Sequence, residues 1–403
     1  MSGTGSAPRD VLRDTPGGYW SEARRLMREQ ARAFAEREVL PLANRLDASG
    51  GQIPDELIAK MGAQGYFGIV IPSELGGLGL GVFEYCLVTE QLARGWMSVA
   101  SLIARGNSFY RTIPARGAAL RTKIAAMAEG RYLGAISISE PQAGSDVANI
   151  SCRAVRDGDE WVITGSKYWC TFADRADYIN VIVRTDEAAQ PRHRGLTSLS
   201  LEKPRGQLPK GVSGAPIPKI GYHGWQTYEL AFDGARAPVL ELDSREGEAF
   251  YGLANWLESA RAHTAARSIG LAQGALEDAL AYAQAREQFG RPIAEFQAIR
   301  FKLANMATEI EAARQLLYHV CHEIDAGERR CDKEAAMVKY FAAEMSERVT
   351  SEAMQIFGGA GYTTLHAVER YWRDARLTRI FEGSSEIQQR IIADALLGKA
   401  RQT

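Results

Sequence analysis

Several things are scarce in this chain of 403 residues, and each scarcity narrows its chemistry. Cysteine is rare: Cys86, Cys152, Cys170, Cys321 and Cys331 form no C-x-x-C pair and no dense framework. Reduced thiols in a cytoplasmic enzyme are therefore expected. The six histidines lack metal-ligand spacing, so no metal site is expected. The two signs of charge nearly cancel, at a formal net charge of −1, and no basic stripe argues for nucleic acid. No uninterrupted apolar run is long enough to span a bilayer. Residues 1–18 are rich in Gly, Ser and Pro without an apolar segment, and read as a flexible tail rather than a signal peptide. Two phosphate-binding signatures are missing as well. The turn-rich stretch Pro72 to Gly79 lacks the G-K-[ST] ending of a P-loop, and no G-x-G-x-x-G is present.

What is present is enough apolar material, 46% of the residues, for a substantial core. Its periodicity changes twice. Over 19–131 the spacing is helical: Ala23, Leu26, Met27, Ala31 and Phe34 follow the i, i+3, i+4 rule, with Pro41 expected to stop that helix and a second one expected after Pro54-Asp55. Over 132–240 short β-rich runs lie between turn residues, at 161–164, 178–183, 196–201 and 227–232, with a hairpin-like turn at Asp157-Gly158-Asp159. No helix-length segment separates them, so a β-sandwich or barrel is expected rather than a parallel Rossmann sheet. Over 241–403 helices return. Ile299, Leu303, Met306, Ile310, Ala313, Leu317, Val320 and Ile324 form one apolar seam that ends at Gly327, and another long helix is expected over 257–286.

Four segments carry functional residue types. Ser139-Glu140-Pro141-Gln142-Ala143-Gly144-Ser145-Asp146 follows Ile136 and Ile138, and its Pro, Gly and Ser favour a tight loop with free N–H groups. Lys167-Tyr168-Trp169-Cys170-Thr171 places an aromatic and a hydroxyl after a strand. Arg261 lies in Glu258-Ser259-Ala260-Arg261, and Arg286 opens Arg286-Glu287-Gln288-Phe289-Gly290; a guanidinium fork suits phosphate, although a lone arginine is usually a surface ion pair. Finally, Gln355-Ile356-Phe357-Gly358-Gly359 precedes Phe381-Glu382-Gly383-Ser384-Ser385-Glu386, in which Gly383 permits a tight exit that exposes a carboxylate.

Together, in this order, these segments resemble the acyl-CoA dehydrogenases over about residues 19–397. The resemblance implies a mainly α fold with a helical N-terminal domain, a β-sandwich or barrel middle domain and a C-terminal four-helix bundle. It implies FAD as cofactor, contacted at Ile136, Ile138, Ser139, Gly144, Ser145, Trp169, Thr171, Arg286, Phe289, Gln297, Gln355, Gly358, Gly359, Ser384 and Glu386, with Arg286 commonly serving across a subunit boundary. Acyl-CoA would be met by Ser145, Glu258, Arg261 and Gly383. Glu382 would be the base, taking the α-proton of an acyl-CoA while the β-carbon passes hydride to flavin N5 to leave a trans-2-enoyl-CoA. The position before Arg261, where isovaleryl-type members carry their base, is Ala260. An electron-transfer flavoprotein as electron acceptor and a homotetrameric or dimeric assembly are implied too. Same-fold alternatives are a carrier-protein thioester dehydrogenase, a flavin oxidase and a non-catalytic flavoprotein. The C-terminal third, with Glu258 to Arg261 followed by Thr264-Ala265-Ala266-Arg267, is also similar to methylsuccinyl- and benzylsuccinyl-CoA dehydrogenases. Arg105 falls in the region that lines the far end of the acyl pocket in relatives. It either binds a second carboxylate there or extends to solvent.

Overall fold

The computed structural model describes residues 19–239 and 246–398, with the side chains of residues 254 and 255 left aside. The expected tail over 1–18 and the expected boundary near residue 240 lie outside the described residues. Helix α1 (Glu22–Phe34) starts at the Ser21 cap, whose side chain accepts the Arg24 N–H. Pro41 does not end the helical path, contrary to expectation. A widened π-turn over Ala35–Val39 leads into α2 (Leu40–Leu46), and Pro41 falls in its first turn, where a missing N–H is tolerated. The path ends instead at Gly50, with φ +69°. Helices α3 (Asp55–Ala63), α4 (Val82–Gly95), α5 (Met97–Leu102), α6 (Ala104–Asn107) and α7 (Gly117–Ala128) complete the N-terminal part.

The middle part is one mixed sheet of β1 (Gly134–Ser137), β2 (Arg153–Asp157), β3 (Glu160–Thr171), β4 (Tyr178–Arg184), β5 (Leu196–Glu202), β6 (Val212–Pro216) and β7 (Thr227–Pro238), in the order β1-β4-β2-β3-β7-β6 with β5 also on β4. β4 is the branch point, parallel to β1 and antiparallel to β5, and the sheet curls around it. All seven of its residues are buried, which explains its continuous apolar reading. β2 and β3 form the expected hairpin, with Gly158 at φ +62°.

The C-terminal part holds α8 (Ala249–Ala285), α9 (Gln297–Ala326), α10 (Asp332–Phe357), α11 (Val368–Thr378) and α12 (Ser385–Leu397). α8 has 37 residues, about 55 Å at 1.5 Å per residue, and packs on α4, α9, α10 and α11. Its small residues let neighbours approach: a Cβ on Gly270 would meet the Glu90 carbonyl oxygen at 2.2 Å, so α4 and α8 touch backbone to backbone. One apolar cluster runs through all three parts, from Ala31 through Trp225 to Ala375.

The parts are also tied by buried polar groups. Asp47 accepts from Trp96 Nε1 at 3.1 Å and pairs with Arg373 of α11 at 2.5 Å, while Asp374 accepts the Tyr222 N–H at 2.6 Å. Burial raises Asp47, but hydrogen bonds from His223 and Arg373 outweigh it and hold the group at about 2. Asp374 goes the other way: burial, with Asp47 adding like charge, pushes it up to about 7. Its folded pKa lies above the ordinary 3.8, so its stabilising contribution is full below that value and lost as pH rises through about 7. Asp374→Asn keeps an acceptor for Tyr222, and is expected to flatten the decline of Tm between about pH 4 and about pH 7. Over that range wild type and variant should diverge by on the order of a few kcal/mol in thermal unfolding; parallel profiles would contradict the assignment.

Candidate active site

Glu382 stands in the loop between α11 and α12 with φ +53°, and Gly383 follows at φ +88°. Two successive left-handed residues turn the chain sharply. Gly383 is favoured there by its conformation, and a Cβ on it would lie 2.4 Å from Gln388 Nε2 and make that side chain shift. The left-handed glutamate costs about 1–2 kcal/mol. The bonds holding the loop offset that cost: the Gly383 carbonyl accepts from Lys339 Nζ at 2.6 Å and Gln388 Nε2 at 3.0 Å, and the Ser385 N–H donates to the Arg379 carbonyl at 3.0 Å. Lys339 is buried, and burial, only partly countered by Glu382, pulls its pKa down to about 8.

Both oxygens of the Glu382 carboxylate are engaged. Oε1 accepts from Arg267 Nη2 at 2.7 Å, and Oε2 lies 2.5 Å from the Thr264 hydroxyl. That hydroxyl also lies 2.9 Å from the Ala260 carbonyl and has one proton to give, so the charged acceptor has the stronger claim. Thr264 and Arg267 sit three residues apart on one face of α8. The Arg267 side chain is 1% exposed. Its Nη1 donates to Ser101 Oγ at 2.8 Å, and its guanidinium lies 4.7 Å from the Phe381 ring centroid. Burial opposes the Arg267 charge, but Glu382 outweighs it and raises the pKa above the ordinary arginine value.

Arg105 is 8% exposed, so it reaches inward and does not extend to solvent. Its guanidinium lies 5.2 Å from the Trp225 ring, 5.3 Å from Phe109 and 5.9 Å from Phe172, and its Nε has no hydrogen-bond partner. No described carboxylate forms an ion pair with it, and burial lowers its pKa. Both arginines act on Tyr222, which stands at φ +57°: burial pushes its hydroxyl up to about 12 while Arg267 and Arg105 pull it down. Tyr85 Oη and Trp225 Nε1 are likewise buried without partners. His263, stacked on Tyr85 at 4.7 Å, is held far below its ordinary value by burial and is neutral. This cluster therefore holds two guanidinium groups against one carboxylate.

Ring contacts lead from Glu382 to the sheet. Phe381 meets Tyr222 at 5.9 Å, Tyr222 meets Trp225 at 5.2 Å, and Trp225 meets Phe172 at 6.0 Å, next to Thr171. The Tyr168 N–H donates to the Ser139 carbonyl at 2.8 Å, bringing the Ser139 loop beside Trp169 and Thr171. A register shift between Lys167 and Cys170 turns Trp169 outward at φ +67°, leaving it 55% exposed, while Thr171 Oγ1 is 3.0 Å from Thr227 Oγ1. Ile136 and Ile138 are half-buried, and Gly144 and Ser145 are exposed, with nothing within 4 Å of a Cβ built on Gly144. A cleft of ≈ 350 Å³ opens beside Pro141, Tyr168 and Ser213.

Other expected contacts do not join this group within one chain. Arg286 caps the far end of α8, about 37 Å along the helix from Arg261. It is exposed, as are Phe289 at 94%, Gln297, Gln355, Gly358 and Gly359. Ser384 is half-buried and Glu386 exposed. Arg261 is buried and reaches Asp332 at 3.4 Å, while Glu258, which burial pushes up, accepts the Cys331 N–H at 3.0 Å.

Three family profiles match the chain: "Acyl-CoA dehydrogenase, N-terminal domain" over 21–119, "middle domain" over 135–235 and "C-terminal domain" over 250–397. The chain is 40% identical to a (2S)-methylsuccinyl-CoA dehydrogenase from Cereibacter sphaeroides, over 92% of its own length and 69% of the relative's. Its fold superposes on butyryl-CoA dehydrogenase from Megasphaera elsdenii with a TM-score of 0.87 at 33% identity, covering 94% of this chain and 99% of that one. It superposes on a glutaryl-coenzyme A dehydrogenase in its glutaryl-CoA complex with a TM-score of 0.88 at 32% identity, covering 94% and 96%. The chain belongs to the acyl-CoA dehydrogenase family.

This acyl-CoA dehydrogenase is thus an oxidoreductase acting on acyl-CoA, from a flavin-dependent family. Among the described residues, no helix is long and apolar enough to cross a membrane. The dehydrogenase also uses residues that sequence reasoning assigned no role. Arg267 and Thr264 are two; the signal for them was a polar i, i+3 pair in an alanine-rich helix. Lys167 and Glu140 are two more, fully buried and paired at 2.9 Å. Glu140 also accepts the Ser151 and Cys152 N–H groups at 2.7 and 2.9 Å, and Lys167 donates to the Ile138 carbonyl at 2.7 Å, so this pair shapes the Ser139 loop. Lys167→Met leaves Glu140 buried and uncompensated, and is expected to cost about 3–5 kcal/mol in chemical denaturation. Adding Glu140→Gln is expected to recover part of the loss; a double variant no more stable than the single would contradict this account.

Proposed function

We propose that this acyl-CoA dehydrogenase oxidises a short acyl-CoA that carries a second carboxylate, with Glu382 as the base. The observation that carries the substrate class is Arg105, a buried cation with no described carboxylate partner, in a cluster where the remaining unpartnered groups include the donors Trp225 Nε1 and Tyr85 Oη. A carboxylate in water-free surroundings needs such a partner, and a neutral alkyl chain would leave the guanidinium uncompensated. Two of the relatives above are named for methylsuccinyl-CoA and glutaryl-CoA, both dicarboxylic thioesters.

FAD is the cofactor in this reading. The outward Trp169 ring at a strained backbone position, the Thr171 hydroxyl and the open loop at Ser139 to Ser145 fit a flat, polar-edged ring system, with Ile136 and Ile138 behind the loop. Bound flavin supplies the hydride acceptor. The protein's own part is to hold the thioester so that Glu382 faces its α-carbon, to exclude water with Phe381, Tyr222 and Trp225, and to take the α-proton on the carboxylate. Arg261 and Ser145 serve the CoA portion, with Glu258 and Gly383 beside it. The exposed group of Arg286, Phe289, Gln297, Gln355, Gly358 and Gly359 serves a cofactor held by another subunit of a homotetramer, while Ser384 and Glu386 contact the cofactor near the base. An electron-transfer flavoprotein removes the electrons, and the enzyme is cytoplasmic.

The test is anaerobic flavin bleaching with a panel of acyl-CoAs. Succinyl-type thioesters with a saturated side chain are expected to bleach the enzyme, with neutral medium-chain thioesters far slower; exclusive activity on neutral chains would discard the substrate class. Arg105→Met is expected to raise KM for the acidic substrate by roughly tenfold or more. In Glu382→Gln, FAD should be retained and bleaching by every thioester abolished, so normal turnover would remove Glu382 from its role.

A further inference from the structure

Glu382 is engaged by the protein's own side chains. Oε1 holds Arg267 at 2.7 Å and Oε2 holds the Thr264 hydroxyl at 2.5 Å, so both oxygens of the carboxylate are tied to α8 and its movement toward an α-carbon is restrained by the pair. The partner that holds it cannot leave for solvent, because Arg267 is 1% exposed. It can only exchange one buried anion for another.

We infer that the Arg267–Glu382 pair is a substrate-operated latch, in which the second carboxylate of the acyl group takes the Arg267 guanidinium and frees Glu382 to act. This rests on the carboxylate-bearing substrate proposed above and adds a second, positioning role beside the anion receptor Arg105. Three observations carry it. Arg267 belongs to the same buried cluster as Arg105: its guanidinium lies 4.7 Å from Phe381, and ring contacts through Tyr222 and Trp225 lead to Arg105, 5.2 Å from Trp225. The cluster contains one more guanidinium than carboxylate, and the buried Lys339 ammonium also acts on Glu382, so an incoming carboxylate can take Arg267 without leaving Glu382 apart from positive charge. Arg267 is anchored independently of Glu382, by Ser101 Oγ at 2.8 Å on one terminal nitrogen and Thr264 Oγ1 at 2.8 Å on the other, so it stays in place while the anion at its open edge is exchanged.

The proton transfer itself is unchanged: the α-proton goes to the Glu382 carboxylate, and only hydrogen bonds are exchanged at Arg267. What changes is where selectivity is expressed. A neutral acyl-CoA that binds would find the base still held, and would react slowly at saturation. Discrimination therefore lies in kcat more than in KM.

The experiment measures first-turnover bleaching of the flavin-loaded enzyme at saturating butyryl-CoA and at saturating methylsuccinyl-CoA, in wild type, Arg267→Gln and Arg267→Lys. Wild type is expected to favour the acidic chain by roughly tenfold or more in rate. Arg267→Gln should raise the neutral-chain rate about threefold or more at unchanged KM and slow the acidic chain, so that their ratio collapses by about tenfold. Arg267→Lys, which keeps the cation but loses the fork, is expected to restore part of the ratio, and it reads the latch where Arg267→Gln does not retain flavin. Equal slowing of both substrates in both variants would overturn the latch and leave Arg267 a structural residue. A rise in KM for the acidic chain alone would also overturn it, leaving Arg267 a simple anion receptor. In either case wild type still prefers the acidic chain. A wild type that bleaches equally fast with both chains would instead defeat the substrate class, and the latch with it.

Discussion

A guanidinium removed from water imposes its own conditions on the protein around it, and in this dehydrogenase Arg267 does so from the middle of α8. It requires an anion, which the α11–α12 loop supplies as Glu382, and acceptors for its other protons, which Ser101 of α5 and Thr264 of α8 supply. Three separated segments are therefore drawn to one point on one helix. The tightly packed α8 makes the arrangement reproducible. Its contact with α4 at Gly270 fixes the depth at which Arg267 sits, and its contact with α10 brings Lys339 under the Gly383 carbonyl. The Glu382 carboxylate, which we propose as the base, is in this sense placed by packing far larger than itself.

The backbone shows where that packing is spent. Among the described residues the non-glycine positions with positive φ are Trp169, Phe172, Tyr222, Phe289 and Glu382, and all but Phe289 lie along the ring-lined path from the sheet to the base. Each costs on the order of 1–2 kcal/mol, an amount a separate small domain could ill sustain in several places. The apolar cluster continuous from the N-terminal helices through the sheet to α11 is what lets four such residues persist together. The shared core is thus a requirement of the site as much as of the fold.

This explains which features were legible in the sequence. The seam along α9 and the four β-rich runs could be read because each buries a definite face, and the motifs around Ser139, Trp169 and Glu382 because unusual turns demand unusual residues. Arg267 could not be assigned, because α8 is buried all round over residues 260–272 and offers no periodicity there to say which neighbour a given residue meets. Arg105 was ambiguous for a related reason: a short helix gives no face, and only Phe109, Phe172 and Trp225, the last two distant in sequence, decide that its side chain turns inward. Pro41 misled because a local rule for helix ends ignores a π-turn that resets the hydrogen-bond ladder one residue earlier. The Glu140–Lys167 pair was hidden in plain view, since its members belong to two motifs read for the cofactor and not for each other.

Positive charge in excess inside an enzyme can serve either a charge that the substrate brings or a charge that the reaction creates. The two uses need different places. Charge created here develops on the thioester beside the α-carbon, which is where a base must reach, so a cation serving it should lie in contact with that base. Arg267 meets this condition and Arg105 does not: it forms no ion pair with Glu382, whose charge reaches it only through space. Its surroundings are the faces of Phe109, Phe172 and Trp225, which shield a cation from water without neutralising it. A cation so held is poorly placed to follow a transient charge and well placed to receive a permanent one, and on that ground we assign Arg105 to the substrate alone, while Arg267 is placed to pass between Glu382 and the substrate's carboxylate.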